Sequence, residues 1–409
     1  MKKVLALFLC AVILCTLGAC GRGEVEDKYV KIGLFEPITG EDALYGNYAR
    51  LGVEYSRPVR PTAIINGEAH TVQLLVKDNQ SSVVESVYVA RELVEENVAI
   101  ALGSYGSTNC NVAASNFEEA GISVIGITCT DPNVTSNHPN YYRVCYLDEW
   151  QGKMLAQYAW EYGARNAYCL AQADRDYDKI LCQAFIDEFK ALGGKVITSV
   201  TEVEFNIYTT NLNNFADYIM GCTNSNADIL FAPIPPHKGA QLIQECAAAN
   251  VKFSILGDDT WDVDQIGAAP LETYMYVSCA TPFAADRSED CAAFVQGFQD
   301  WLKADPRRLE ANGGTDAVNS ASALAYDAYM VAVSAIELAS STDPAEVSKA
   351  IGNVSYDGVT GHIAFDQIGD VAKTELYIKN ADTFYGNLRF EKTQLFRQVA
   401  QPVTEEGQK

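Results

Sequence analysis

Small hydroxyl-bearing residues recur in three short segments of the first half of this 409-residue chain: Pro37-Ile38-Thr39-Gly40, Gly106-Ser107-Thr108-Asn109 and Thr128-Cys129-Thr130. Hydroxyls and free backbone N–H groups at helix N-termini are what a carboxylate needs, because the helix dipole and unpaired donors both favour an anion there. Ser107 and Thr108 would serve equally well as ordinary N-caps. Thr128 and Thr130 are two residues apart, which in an extended segment points both side chains to the same side. The second half offers the opposite chemistry in Asp174-Arg175-Asp176-Tyr177-Asp178, Pro233-Ile234-Pro235-Pro236-His237 and Gly257-Asp258-Asp259-Thr260-Trp261-Asp262. Carboxylates and aromatics set opposite hydroxyls suit a zwitterion, its carboxylate on the first set and its ammonium against Asp259. Asp258, Asp259 and Asp262 would also suit a helix cap or a solvated loop.

Each of these segments follows an apolar run that reads as a strand. Val30–Phe35, Val72–Lys77, Val98–Gly103 and Ser123–Ile127 alternate with helical spacing at Leu44–Glu54, Val83–Glu96 and Val112–Ala120, and Ser82 is placed to cap the second helix. Strand, helix, strand is the signature of a parallel sheet. After Tyr142–Val144 and Asp148 a second series begins: helix Trp150–Tyr162, strand Ala167–Ala171, helix Lys179–Leu192, strand Lys195–Val200, helix Asn211–Met220, strand Asp228–Ala232, helix Gly239–Ala249 and strand Lys252–Leu256. Two successive α/β units predict two Rossmann-like lobes with a cleft between them, and open parallel sheets bind ligands beyond the carboxyl ends of their strands.

The N-terminus sets the compartment. Lys2-Lys3, an apolar run from Val4 to Leu14 and Leu17-Gly18-Ala19-Cys20 make an export signal, and the 16 residues from Val4 to Ala19 fall short of the roughly 20 that span a bilayer. Leu17-Gly18-Ala19-Cys20 resembles the bacterial lipobox, which implies a signal over residues 1–19, a lipid on Cys20 and a tether over residues 20–28; the alternative is a plain secretory signal. No second apolar stretch approaches roughly 18 residues, so a soluble body is expected outside the cytoplasm, held to the membrane by lipid. It is too long for one core at roughly 100–200 residues per domain. A net charge of −23 disfavours nucleic acid or anionic lipid as a partner. Of twelve cysteines, three lie in the signal region, leaving an odd number, so at least one is free or intermolecular; a Cys169–Cys182 disulfide is one conceivable pairing. No CxxC spacing or Cys/His cluster suggests zinc, and no cofactor is expected.

Across nearly the whole mature chain the residues carry a resemblance. Gly33, Pro37-Ile38-Thr39-Gly40, Ala43, Tyr45-Gly46 and Gly52 resemble the opening of the leucine/isoleucine/valine-binding proteins of bacterial ABC importers, which have the type I periplasmic-binding-protein fold. Ser107-Thr108, Glu119 through Thr130, Gly257–Trp261, Ala325-Tyr326-Asp327-Ala328 and Gly361–Asp370 match later family blocks in the same order. The resemblance implies that Ser107, Thr128 and Thr130 hold the ligand's carboxylate and amino group, with Thr108 beside them as a further binding residue. It places Tyr177 and Asp259 as an aromatic wall and the ammonium's acidic partner, with Tyr45, Tyr105 and Trp261 shaping the side-chain pocket. Thr128 stands where the family often has a small residue, the loop Pro233–His237 is rich in proline, and the usual Asn-x-x-Gly-Gly-Ile run is missing between Val53 and His70; a branched aliphatic amino acid is the leading ligand. Three inter-lobe crossings are implied near Tyr146-Leu147, Thr281-Pro282 and Ile363-Ala364, giving a first lobe of residues 29–146 and 282–363 and a second of 147–281 and 364–409.

An enzyme is not expected. The four histidines sit in dissimilar contexts, and neither Gly-x-Ser-x-Gly, HExxH nor a phosphate-cradling Gly-x-x-x-x-Gly-Lys-Ser/Thr occurs. The expected protein is a monomeric substrate-binding lipoprotein that delivers a small amino acid to an ABC permease and its ATPase. The alternatives are a ligand-sensing receptor domain of the same fold, or a different solute such as an amide or polyol.

Overall fold

The computed structural model describes residues 28–198, 205–267, 270–271, 276–381, 386–387 and 390–397. The expected signal, Cys20 and the tether as far as Asp27 lie outside the described residues.

Six strands build the first sheet: β1 (Tyr29–Glu36), β2 (Thr62–Ile65), β3 (Glu68–Asp78), β4 (Ile100–Gly103), β5 (Val124–Gly126) and β6 (Tyr141–Arg143), in the order β2-β3-β1-β4-β5-β6. All run parallel except β2, which pairs antiparallel with β3. Helices α1 (Ala43–Val59), α2 (Val83–Glu95) and α3 (Ser107–Glu119) return the chain between strands. Strand β4 is buried along its length, as a parallel strand covered on both faces must be. The Ser82 hydroxyl caps α2 by accepting from the Glu85 N–H. Because β3 and β4 flank β1 on opposite sides, the loops after β1 and β4 diverge and leave a crevice at their carboxyl ends.

The second sheet repeats the plan with β7 (Asn166–Gln172), β8 (Lys195–Ile197), β9 (Asn206–Tyr208), β10 (Ile229–Phe231), β11 (Ser254–Leu256) and β12 (Val277–Thr281). Its helices are α4 (Asp148–Glu161), α5 (Asp176–Ala191), α6 (Ala216–Asn224) and α7 (Pro236–Ala248). The chain then re-enters the first lobe as α8 (Glu289–Lys303), α9 (Ser320–Ala339), α10 (Pro344–Ile351) and the hairpin β13 (Ser355–Gly358) and β14 (Gly361–Ala364). Two further strands complete the order β8-β7-β10-β11-β12-β15-β16, with β9 on β7: β15 (Glu375–Ala381) pairs antiparallel with β12, and β16 (Phe390–Arg397) antiparallel with β15.

Several elements differ from the sequence expectation for local reasons. Helix α3 starts at Ser107 rather than Val112, because the polar run Ser107–Asn111 hides the apolar period while forming the first turn. Helix α6 begins at Ala216, five residues later than expected. The strand expected over Lys195–Val200 is described to Ile197, with its last residues outside the described set. Helix α9 is long and apolar enough to cross a bilayer by length and composition, but 72% of its apolar window is buried inside the protein. Its residues Leu324, Ala328, Val331, Ala335 and Ile336 belong to the first-lobe core.

Val144 and Cys145 pack into the first-lobe core and Tyr146 into the second, so the first crossing lies between them. The second falls between Thr281, the end of β12, and Phe283, which packs with α8. The third was expected near Ile363-Ala364, but the chain stays on the first lobe beyond it. Phe365 bridges Val371, which joins the first-lobe core, and Asp370 ion-pairs with buried Arg143 at 2.6 Å, so the crossing comes between Val371 and Glu375. All nine cysteines among the described residues are free and buried, Cys169 and Cys182 included, so they act as small core hydrophobes.

Candidate functional site

Between the lobes lies a cavity of about 360 Å³. The first lobe contributes Asp42, Tyr45 and Tyr48 around the start of α1, Tyr105 to Thr108 running into α3, Thr128, Thr130 and Asp131 after β5, and Asn319 to Ala321 at the start of α9. From the second lobe come Asp148 at the start of α4, Asp174 to Tyr177 and Ile180 running into α5, and Asp259, Thr260, Asp262 and Val263 after β11. These are the carboxyl ends of both sheets facing one another.

Ser107, Thr108, Thr128, Thr130, Tyr177, Asp259, Tyr45 and Tyr105 are brought together on this wall. Trp261 is not. It is fully buried, its indole N–H donates to the Ile234 carbonyl at 2.7 Å, and its ring fills the space beside Gly239 and Gly257, where a Cβ would lie 2.5 Å and 2.2 Å from it. The segment Asp259–Trp261 is a single 3₁₀ turn, in which residues two apart leave the axis on different sides. Asp259 therefore faces the cleft while Trp261 turns into the second-lobe core.

On the first-lobe side, Gly106 precedes α3 and no side chain caps it, so its leading N–H groups face the cavity uncovered. The Ser107 hydroxyl accepts from the Asp131 N–H at 3.2 Å, and the buried Thr128 hydroxyl has no hydrogen-bond partner among the described residues. The loop carrying these groups is held from beneath by Arg143, whose Nη1 donates to the carbonyls of Cys129 and Asp131 at 2.8 Å each and which also reaches Thr135.

On the second-lobe side, one oxygen of Asp259 accepts from the Tyr177 hydroxyl at 2.8 Å and from Gln151 Nε2 at 3.1 Å, while Gln151 Oε1 accepts the Asp259 N–H at 3.0 Å. Burial raises the Asp259 carboxyl above its usual range, against the hydrogen bonds from Tyr177 and Gln151. Asp148 sits beside this pair. Burial pushes it up to about 8, with the Thr130 hydroxyl and Arg143 opposing and Asp259 and Asp131 adding, and one of its oxygens has no partner among the described residues.

A further group closes the wall. Tyr45 and Tyr105 stack at 5.0 Å with their planes 10° apart, and Arg175 lies within electrostatic reach of Tyr105 across the cleft while its Nε donates to Asp178 at 3.0 Å. Near the second crossing, the Ser320 hydroxyl of the first lobe donates to Asp262 of the second at 3.1 Å.

Sequence reasoning missed Gln151, Asp148, Tyr48, Asn319 and Ser320 as cavity or supporting residues. Asp148 was legible only as a helix start, and nothing local marks Ser320, which reaches the cleft because the chain returns to the first lobe.

Fold and site together define a two-lobed solute-binding protein: paired doubly wound sheets, crossed repeatedly by the chain, closing on a polar cavity. Residues 29–383 match the family described as periplasmic binding protein, and the chain belongs to that family. It is 23% identical over 365 residues to Leu/Ile/Val-binding protein homolog 1 of Brucella abortus, covering 88% of this chain and 91% of that one. Among solved structures it resembles the branched-chain amino acid transporter substrate binding protein LivJ of Streptococcus pneumoniae in complex with isoleucine, with a TM-score of 0.75, 19% identity and 91% and 100% of the two chains covered. It also resembles a solute binding protein of an ABC transporter from Rhodopseudomonas palustris in complex with 3,4-dihydroxybenzoic acid, with a TM-score of 0.74, 19% identity and 92% and 99% covered.

Proposed function

We propose that this protein is the extracytoplasmic substrate-binding lipoprotein of an ABC importer and captures a small amino acid by closing its two lobes. The carrying observation is that the Thr128 hydroxyl and one Asp148 oxygen, both buried and without a hydrogen-bond partner among the described residues, belong to residues lining a cavity that also holds Asp259 and the start of α3. A buried polar atom left without a partner costs about 1–3 kcal/mol, and an α-amino acid offers a carboxylate to the α3 end and an ammonium to the aspartates. Capture needs no covalent chemistry; a micromolar ligand corresponds to about −8 kcal/mol of binding free energy. The names of the relatives put leucine, isoleucine and valine first on the panel, and the neighbour holding a dihydroxybenzoate, together with four tyrosines on this wall, adds aromatic acids. The lipobox-like Leu17-Gly18-Ala19-Cys20 supports the membrane tether, and a permease and ATPase are the partners the reading implies.

The test is calorimetric titration of protein unfolded and refolded to strip carried-over ligand, first with the twenty amino acids and then with hydroxybenzoates. Saturable binding of one amino acid supports the reading. Silence toward all amino acids with binding of an aromatic acid replaces the zwitterion by another solute in the same cleft.

A further inference from the structure

The cavity wall carries a second constellation that zwitterion contacts do not use. Asp42 at the start of α1, the Tyr45–Tyr105 stack and Arg175 ahead of α5 line the same space, and Asp42, Tyr105 and Arg175 are within electrostatic reach of one another. The Asp42 side chain does not cap α1, and its carboxylate accepts no hydrogen bond among the described residues. Arg175 commits Nε to Asp178, which leaves its other N–H donors for Tyr105 and the cavity. An acceptor from the first lobe and a donor fork from the second therefore meet in one place.

An aliphatic side chain there would leave both half-buried charged groups facing it without a match. A lysine-like ammonium would satisfy Asp42 but face the guanidinium, and a second carboxylate would do the reverse. A carboxamide presents two N–H donors and a carbonyl acceptor in one plane, so it can meet both groups at once without adding charge. We propose that the ligand's side chain ends in a carboxamide, its NH2 donating to Asp42 and its carbonyl accepting from Arg175, so that the cleft selects glutamine or asparagine over branched aliphatic amino acids. This rests on the amino-acid reading above and narrows it.

The experiment is parallel titration of the refolded protein with glutamine, asparagine, leucine, isoleucine, valine, lysine and glutamate, repeated with Asp42→Ala and Asp42→Asn after their thermal melts have been compared with the parent. Glutamine or asparagine is expected to bind at least about tenfold tighter than every other ligand, since a site built to hydrogen-bond a group rejects analogues lacking it. Both Asp42 variants should weaken the amide ligand by about tenfold or more, whereas Asp42→Ala should leave leucine binding no weaker than in the parent, because it removes the group that leucine strands. Tighter binding of leucine, isoleucine, valine, lysine or glutamate overturns the carboxamide assignment and leaves the amino-acid reading standing. Amide binding that is indifferent to both folded Asp42 variants also overturns it. Silence toward every amino acid removes both.

Discussion

Asp259 is held from two sides, by Tyr177 and by the bidentate grip of Gln151, so its carboxylate reaches the cavity already oriented. Truncating one partner of a buried charge pair costs about 2–5 kcal/mol, so Asp259→Ala should weaken amino-acid binding by at least about tenfold in calorimetry; unchanged affinity would remove Asp259 as the ammonium partner. Asp148 adds a pH dependence with a definite sign. Its carboxyl titrates at about 8 when folded, against roughly 3.9 in an unfolded chain, so between those values the folded state binds the extra proton and stability falls as pH rises. Asp148→Asn should therefore gain on the parent between pH 5 and pH 8 in urea unfolding; an equal difference at both pH values would show that the carboxyl is not protonated in the fold. Ser107, Thr108, Thr128, Thr130, Tyr177 and Asp259 line the cavity from loops that stand out in the sequence because small hydroxyls and acids follow strands in both halves, whereas Tyr45 and Tyr105 came only from the family resemblance. Gln151 was not readable, since a glutamine inside a helix has no local signal and gains its role only from where β11 ends.

At the scale of elements, one 3₁₀ turn separates two residues that the sequence places side by side. Trp261→Ala should lower stability by about 3–5 kcal/mol as a large core deletion, seen as a shifted denaturation midpoint. A ligand-wall tryptophan would instead cost affinity at unchanged stability. The loop carrying Thr128 and Thr130 depends on Arg143, which joins it to Asp370 just before the third crossing. Arg143→Met leaves Asp370 buried without its cation, and breaking such a pair costs about 3–5 kcal/mol. Chemical denaturation should show that loss, and a neutral result would mean that the loop is held by packing alone.

For the whole molecule, the sheets set two sides of one cavity and the crossings bring their carboxyl ends face to face. The bond from Ser320 to Asp262 spans the lobes, as closure about a hinge requires. The proposed tether belongs to this scale as well. A single acyl chain binds membranes marginally and two or more bind stably, so Cys20→Ser should move the exported protein from the membrane fraction to the soluble one on cell fractionation. Retention in the membrane would mean that Cys20 is not the anchor.

Two α/β units and the polar loops at their strand ends were determined by the chain itself, because a βαβ rhythm and N-cap chemistry are local patterns of residues a few positions apart. The antiparallel strands β15 and β16, the return of α9 to the first lobe and the third crossing beyond Val371 were decided only by tertiary structure. So was the meeting of Asp42 with Arg175, which are separated by six strands and an inter-lobe crossing. Such pairings depend on which surfaces pack and bury together, and burial is a property of the folded whole that no window of sequence contains.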